Sequence, residues 1–236
     1  MKKSRLFCIV PSLWLFVASL ACAGDAAAFV DIGISADGKT YIFGEYGKTD
    51  KNFQGYAEIY TVDIEKNDFV RGGIFRTQPS SATNSKSGRE VFDELHSKSN
   101  WWLKKYNCKP VAQEHILYFS DGLTAGDKEI VFKDVEGSTV EQSVFYHIRL
   151  IKSVEGKGTS LSSSFFITLE KADENGHIMS RNIVGSPDIK RQGVTDYKIE
   201  KIFADSKGRN LVFVVEKTME DSTGKSVRYM VETIRL

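Results

Sequence analysis

Cysteine is scarce in this chain, with three residues among 236. Two of them, Cys8 and Cys22, lie in an N-terminal segment that we expect to be removed, and only Cys108 then remains. A single thiol cannot form an internal disulfide, so disulfide bonds are excluded as a source of stability. No catalytic motif flanks Cys108, and we predict a buried, unreactive thiol at this position.

The chain also lacks an excess of either charge. Residues 1–23 contain three basic residues and no acidic ones, out of totals of 32 and 31 in the whole chain. Their removal leaves 29 basic against 31 acidic residues. This balance provides no electrostatic attraction to nucleic acid, and we expect no nucleic-acid partner.

Long apolar runs are missing except at the N-terminus. Residues 6–20 form an apolar stretch that is too short for an ordinary membrane span, and three basic residues precede it (Lys2, Lys3 and Arg5). Ala21, Ala23 and Gly24 supply the small residues of a signal-peptidase site. The pattern predicts a signal peptide at residues 1–23, cleavage after Ala23, and a periplasmic or secreted protein without a later transmembrane span.

Cys22 leaves a second route of maturation open. A cysteine after a small residue such as Ala21 is the acylation site of a lipoprotein signal. Ser19 and Leu20 stand in the reverse of the usual order for that signal. We therefore favour cleavage after Ala23 over lipidation of Cys22.

Most of the chain after residue 24 has the composition of β-strands. Nine segments are rich in Tyr, Ile, Phe, Val and Thr and are bounded by turn-forming residues. They cover residues 39–46, 56–64, 114–119, 128–135, 143–152, 163–171, 197–203, 210–217 and 228–236. This pattern predicts a single mainly-β domain at 24–236, with antiparallel sheets arranged as a partial propeller or a sandwich.

Residues 87–106 have a helical period instead. Five apolar side chains fall on one stripe of the helix: Phe92, Leu95, Trp102, Leu103 and Tyr106. Ser87 and Glu90 have the spacing of a capping box, and Asn107 suits a left-handed helix end. The pattern predicts one amphipathic helix near 87–106 whose aromatic stripe packs into the core.

Two stretches at opposite ends of the chain resemble each other, ISADGKTYIF at 34–43 and DSKGRNLVF at 205–213. Gly38 aligns with Gly208, and in each case a basic residue and a β-rich strand follow. Glycine tolerates the positive φ angle that a tight reversal of two strands requires. We predict that residues 34–64 and 203–236 fold as related hairpins.

The first of these stretches resembles the repeat unit of periplasmic β-propellers of the TolB kind. The matching residues form a turn and part of a later strand: Ser35, Asp37, Gly38, Lys39, Ile59, Tyr60 and Asp63. The second stretch departs from the pattern, because Lys207 stands where the Asp would be. The resemblance implies propeller-like repeats.

A second resemblance covers most of the chain. Residues 24–70, together with the C-terminal RYMVETIRL, resemble a family of predicted secreted bacterial proteins that share a domain of unknown function. The similarity is looser in the middle of the chain. It implies export, and it supplies no activity, substrate or catalytic residue.

Motifs for common chemistries are absent or incomplete. Gly224-Lys225-Ser226 imitates the end of a P-loop, but Met219 stands where the first glycine would be. The histidines lack the spacing of a zinc site (His96, His115, His147 and His177), and three acidic residues lack the register of a calcium loop (Asp121, Asp127 and Glu129). We expect no metal site, no cofactor and a hairpin at the P-loop lookalike.

Three functions remain open. We favour a non-enzymatic exported binding or scaffold protein whose partner is an envelope protein or a cell-wall component. The first alternative is an exported hydrolase with a site assembled from distant residues, around Asp121 or His147. The second is a small-ligand carrier, which the 15 Phe and nine Tyr residues favour.

Overall fold

The computed structural model describes residues 25–122, 129–221 and 224–236. In these ranges the protein is mainly β, with three antiparallel sheets of four strands each. The predicted fold class is therefore confirmed. The assignment of residues 24–236 to a single domain stays a prediction.

The N-terminal sheet has its strands in chain order and is followed by two helices. Its strands are β1 (Ala28–Ile34), β2 (Thr40–Lys48), β3 (Gly55–Asp63) and β4 (Asp68–Thr77), and the helices are α1 (Gly88–Lys98) and α2 (Asn100–Tyr106). Short 3-10 turns lie at Ser81–Thr83, Gln113–His115 and Gly158–Ser160.

The other two sheets divide the rest of the chain. The middle sheet has the order β6 (Ile130–Lys133), β7 (Val144–Glu155), β8 (Ser162–Asp173) and β9 (Ile178–Gln192). The C-terminal sheet has the order β12 (Gly224–Arg235), β11 (Asn210–Asp221), β10 (Val194–Ala204) and β5 (Ile116–Phe119).

The C-terminal sheet is the central layer of the molecule. Along β11, Leu211, Phe213 and Val215 pack with the apolar side chains of the middle sheet. Val212 and Val214 point to the opposite face and pack with those of the N-terminal sheet. Because successive side chains of a strand alternate between faces, a strand covered on both sides needs an unbroken apolar run, as in LVFVV.

Helix α1 covers the outer face of the N-terminal sheet. Val91, Phe92 and Leu95 are buried there against Ile42 and Ile59. The predicted capping box is confirmed: Ser87 Oγ accepts from the amide of Glu90, and the Glu90 carboxylate accepts from the amide of Ser87.

The prediction of one helix over 87–106 is wrong in one respect, since the helix breaks at Ser99. The Ser99 hydroxyl donates to the carbonyl oxygens of Leu95 (2.8 Å) and His96 (3.2 Å). In α2, the indole N–H of Trp102 donates to Thr61 Oγ1 at 2.8 Å. Asn107 ends α2 in the predicted left-handed conformation, with φ 46°.

The sandwich alternative describes the arrangement of the sheets. Within the described ranges the sheets pack face to face and do not close into a propeller or a barrel. A strand such as β11, with apolar partners on both faces, stabilises stacked layers without closure of a ring. The propeller-like repeats implied by the TolB-type resemblance are not supported.

The sequence analysis did not predict three of the strands: β1, β4 and β9. All three lie at sheet edges, where one long side pairs with no named strand of the described ranges; β1 makes one isolated bridge there, from Ile34 to Lys109. Gly185 in β9 has a φ of 79°, and Pro187 follows it at an irregularity in the pairing with β8. Edge strands tolerate such residues, which weaken the strand signal of the sequence.

The two predicted hairpins have the same loop. We call residues 35–40 the N-terminal loop and residues 205–210 the C-terminal loop. In both, the first amide donates to the sixth carbonyl oxygen (2.8 and 3.1 Å), and the fourth amide donates to the first carbonyl oxygen (2.9 Å in each). Gly38 and Gly208 are the fourth residues, with φ of 73° and 61°. The predicted relation between the two stretches is therefore present in the conformation of these loops.

Candidate ligand-binding cleft

A cleft of about 260 Å³ lies between the middle and C-terminal sheets. Its apolar walls come from Leu117 of β5, Phe132 of β6, Tyr146 of β7 and Leu211 of β11. The rings of Phe132 and Tyr146 lie 5.4 Å apart. We call this feature the main cleft.

The C-terminal loop forms the polar wall of the main cleft through Asp205, whose exposure is only 2%. One carboxylate oxygen, Oδ1, accepts from the amides of Arg209 (2.7 Å) and Asn210 (2.9 Å). The other oxygen, Oδ2, is buried and has no hydrogen-bond donor among the described residues. An unpaired buried carboxylate oxygen is costly, which marks Asp205 as unusual.

The N-terminal loop packs against the C-terminal loop and holds Asp205 in place. The side-chain amide of Asn210 donates to the carbonyl oxygen of Gly38 at 3.1 Å. A Cβ atom at Gly38 would lie 2.5 Å from Asp205 Oδ2. The close approach of the loops therefore requires glycine at position 38 and buries the carboxylate.

The segment after β6 forms the opposite wall. The Asp134 carboxylate is paired with Lys171, and its Oδ1 accepts from the amide of Gly137 at 3.0 Å. Burial, reinforced by the charge of Asp134, raises the pKa of the Tyr146 phenol. The phenol of Tyr146 therefore stays neutral at physiological pH.

Glu136, in the same segment, reaches the C-terminal loop. A Cβ atom at Gly208 would collide with the Glu136 carboxylate, so glycine permits this approach. Within the described part of the chain, no hydrogen bond or ion pair engages that carboxylate. The Glu136 carboxylate thus lies beside Gly208, in the same loop that contains Asp205.

The main cleft has an acidic lining. Four carboxylate side chains line it (Glu114, Asp134, Glu136 and Asp205), against one lysine, Lys133. Lys171 neutralises Asp134. Three carboxylates therefore face one ammonium group, an excess of two negative charges.

A second cleft, of about 290 Å³, lies where the β3–β4 hairpin, β9 and β12 meet. Burial raises the pKa of its central carboxyl, Glu232. Asn67 Nδ2 lies 2.5 Å from one Glu232 oxygen, and Arg191 Nη2 lies 3.6 Å from the other. This carboxyl already has protein partners, in contrast to Asp205.

Of the histidines considered in the sequence, His115 alone lines the main cleft. His147 Nδ1 lies 3.4 Å from Glu129 on the outer face of the middle sheet, and His177 Nδ1 lies 3.1 Å from Asp173 in an exposed turn. His96 packs against the ring of Phe92. The four histidines therefore lie in separate parts of the structure.

Cys108 is half-buried near backbone oxygens of Thr40 and Tyr106. Burial raises the pKa of its thiol to about 12. A thiol with this pKa holds its proton at neutral pH and is a poor nucleophile. The predicted unreactive character of Cys108 agrees with this environment.

The acidic residues considered for calcium do not form a ligand set where they are described. Glu129 pairs with Arg149 at 3.1 Å, and Asp127 lies outside the described residues. In the ranges that the structure covers, no group of three or more His, Cys, Asp or Glu residues is placed to hold a metal ion.

The P-loop lookalike lies in a hairpin, as predicted. Gly224, Lys225 and Ser226 begin β12, which pairs with β11 along its length. A P-loop leads into a helix, whose N-terminus binds the phosphate groups. A strand at this position provides no such site.

Sequence reasoning missed Asp205, Asp134 and Glu136 as members of one cleft. Asp205 lay within a stretch recognised as a turn, and its aspartate at the first position predicts bonds to nearby amides. No sequence signal indicates that its second oxygen is buried, because the N-terminal loop that covers it is remote in the chain.

The predicted signal-peptide site, Ala21, Ala23 and Gly24, and the alternative lipidation site, Cys22, lie outside the described residues. They stay predictions. Across residues 25–122, 129–221 and 224–236, no helix has the length and apolarity needed to cross a bilayer.

Comparison with known proteins tests the two resemblances seen in the sequence. Residues 42–235 match a family described as predicted secreted protein, DUF2259, while no curated protein matches the chain. The match confirms the resemblance to secreted proteins of unknown function and agrees with export; it lends no support to the TolB-type resemblance. Because the match spans most of the sequence, the chain belongs to DUF2259, a family of predicted secreted proteins.

Proposed function

We propose that this exported protein is a non-enzymatic binding protein of the cell envelope and that the main cleft receives its ligand. The partner class is an envelope protein or a cell-wall component. The observation that carries the proposal is the open cleft of about 260 Å³ itself, in which apolar walls lie beside a few carboxylate side chains. Binding sites combine apolar walls with a few polar groups in this way.

The lining of the main cleft favours binding over catalysis. Among the described residues, the ring of His115 makes no hydrogen bond to a carboxylate or a hydroxyl group. General-base catalysis with histidine depends on such pairs, which orient the ring and activate a nucleophile. The charged groups of the cleft are therefore better suited to recognition.

A test is to record amide chemical shifts of the purified mature protein while adding small probes. Phenylpropanol and soluble peptidoglycan fragments are suitable, because one tests the apolar walls and the other tests a cell-wall ligand. We expect shift changes at Gly208, Leu211 and Val135, which line the cleft. Absence of changes with every probe would contradict the proposal.

A matched pair of variants locates the binding. Ala204 lines the cleft, and Ala204→Leu should fill part of its volume and abolish the shift changes. Ala82 is exposed and lies outside the lining, so Ala82→Leu should retain them. Binding that survives in Ala204→Leu would place the ligand elsewhere.

The hydrolase alternative has one observation in its favour. His147 is partly exposed beside Glu129, which could orient its ring. Glu129 also pairs with Arg149 at 3.1 Å, and this competes for the carboxylate. If His147 acts as a base, hydrolysis of p-nitrophenyl acetate should be lost in His147→Gln, while equal rates for variant and wild type would eliminate this alternative.

A further inference from the structure

We propose that the surface around helix α2 binds the anionic face of a phospholipid bilayer. This surface consists of Trp101, Lys98, Lys104 and Lys105, and we call it the basic patch. All four residues are exposed, and none of them lines the main cleft. The inference therefore goes beyond the proposed ligand site and does not depend on it.

Trp101 is an exposed aromatic residue whose ring is held in place. Its exposure is 63%, whereas its neighbour Trp102 is buried. The Trp101 ring makes edge contacts with the rings of Trp102 and Phe75, at centroid distances of 5.5 and 6.3 Å. Tryptophan is enriched at the boundary between a bilayer and water, where its amphipathic ring lies among the headgroups. A ring that is already fixed loses little conformational entropy when it enters such a boundary.

The lysines give the basic patch its charge. Residues 95–113 contain four lysines and no aspartate or glutamate. Among the described residues, no carboxylate forms an ion pair with a lysine of the basic patch. The acidic residues that precede this segment, Asp93 and Glu94, already form ion pairs with other basic residues. The positive charge of the patch is therefore complementary to anionic headgroups.

Helical geometry places two of these charges beside the exposed ring. Lys104 and Lys105 follow Trp101 by three and four residues, which brings their side chains to the same side of α2. The Lys105 ammonium group lies 4.8 Å from the centroid of the Trp102 ring. Basic groups beside an exposed tryptophan match a bilayer surface, where anionic phosphates lie next to the hydrocarbon boundary.

The shape of the basic patch favours a bilayer over an acidic glycan. Of the three aromatic residues of α2, Trp101 alone is largely exposed, since Trp102 is buried and Tyr106 is partly buried. Sites for small ligands are concave and surround the ligand with several side chains. The exposed side of a helix is convex, and one ring with lysines on that side suits contact with an extended surface.

Vesicle co-sedimentation of the mature protein at low ionic strength tests the proposal. Vesicles of phosphatidylglycerol and phosphatidylcholine in equal amounts should bind the protein, and vesicles of phosphatidylcholine alone should not. Sodium chloride at about 1 M should release it, because electrostatic attraction then extends only about 3 Å. Equal binding to both kinds of vesicle, or binding that persists in this salt, would contradict the proposal.

Tryptophan fluorescence gives a second readout. Trp101 and Trp102 are the only tryptophans outside residues 1–23, so the tryptophan emission of the mature protein comes from α2. On anionic vesicles the emission should shift to shorter wavelength as Trp101 leaves water. Trp101→Ser should abolish the shift, because Trp102 is already buried. Binding without any shift in the wild type would place the contact elsewhere on the protein.

Matched variants locate the contact. Trp101→Ser should weaken binding to anionic vesicles about tenfold or more, since the inserted apolar side chain is lost. Lys104→Gln should weaken it about fivefold, because one lysine near the surface is lost. Ile183→Ser and Lys157→Gln are the controls and should bind as the wild type does. Ile183 has an exposure of 62%, and Lys157 is exposed between β7 and β8, so both belong to the layer on the other side of the central sheet.

The outcomes separate this inference from the proposed function. Wild-type binding by Lys104→Gln would overturn the basic patch as the contact, and this exposed position keeps the test valid even if Trp101→Ser fails to fold. The acidic glycan hyaluronate is added to the same series. If the protein binds hyaluronate through Lys104 and does not bind vesicles, the patch is a glycan site and the bilayer assignment is wrong. None of these results bears on the main cleft, which has its own probes.

Discussion

The N-terminal and C-terminal loops have one backbone conformation and different first side chains. Ser35 Oγ accepts from the amide of Thr40 at 2.9 Å, and Asp205 Oδ1 accepts from the amide of Asn210 at the same distance. A hydroxyl has one oxygen, whereas a carboxylate has two. The presence of aspartate instead of serine at the first position of the loop therefore adds a second acceptor oxygen, and in the C-terminal loop that oxygen is buried beside Gly38.

The strands that follow the loops differ at one buried position. Glu45 of β2 aligns with Val215 of β11, and both are buried, with exposures of 2% and 0%. Burial raises the pKa of Glu45 to about 7, although the amide of Tyr229 donates to its carboxylate at 2.7 Å. Lys217 and Arg228 favour the charged form of Glu45, and Glu58 opposes it. Equivalent positions thus carry a titratable group in one hairpin and none in the other.

The largest expected effect concerns Glu45. In the folded protein its carboxyl has a pKa of about 7, against 4.5 for an unperturbed glutamate. The folded state therefore binds more protons between these values, and stability falls as the pH rises from 4.5 to 7. The total loss is about 3 kcal/mol.

Glu45→Gln removes this loss because glutamine stays neutral and can accept from Tyr229. Urea unfolding at pH 4.5 and about pH 8 should show the variant gaining about 3 kcal/mol on the wild type over that interval. The pH-dependent contributions of the other carboxyl groups cancel when the unfolding free energy of the wild type is subtracted from that of the variant. If the difference in unfolding free energy between the variant and the wild type does not change with pH, the pKa of Glu45 is not raised by folding.

The next effect tests the first residue of each loop. Asp205→Ala should cost about 2–3 kcal/mol, since two amides lose their acceptor and one of them is buried. Ser35→Ala should cost about 1 kcal/mol, because one amide is affected. Equal losses of unfolding free energy in the two variants would contradict the expected difference between the two loops.

The glycines of the loops should also differ. Gly38→Ala should cost about 2 kcal/mol, because the left-handed conformation is strained with a Cβ and the new methyl group meets the immobile Asp205 carboxylate. Gly208→Ala should cost about 1 kcal/mol, since the exposed Glu136 side chain can rotate away. Thermal unfolding of the two variants shows which of them loses more stability, and a larger loss for Gly208→Ala would contradict this prediction.

The smallest effect concerns the contact between the loops. Asn210→Ala removes the donor to the Gly38 carbonyl oxygen and should cost about 1 kcal/mol. Thr40 is the equivalent residue of the other loop, and its side chain makes no such bridge in the described part of the chain. Thr40→Val is the control, and chemical unfolding should show the smaller loss for it.

Features that depend on near neighbours could be predicted from the sequence. The capping box at Ser87 and Glu90, the left-handed glycines of the loops and the apolar run of β11 each involve residues close in the chain. Their energies come from bonds within a turn or from the alternation of one strand. These features are present in the structure at the predicted positions.

Features that depend on distant neighbours could not be predicted. Trp102 of α2 donates a hydrogen bond to Thr61 of β3, and the edge strand β9 forms by pairing with β8. The main cleft belongs to this group, because its walls come from β5, β6, β7 and the C-terminal loop. Nothing near Asp205 in the sequence indicates that the N-terminal loop buries it.

By itself, the sequence determined the β-rich class, the related loops and the export expected of the chain, because composition, turn chemistry and the N-terminal segment act over short ranges. The tertiary structure alone decided which sheet lies at the centre, where the carboxylates converge and which oxygen of Asp205 has no donor among residues 25–122, 129–221 and 224–236. Burial is the physical reason: an oxygen is cut off from water only when segments far apart in the chain pack around it.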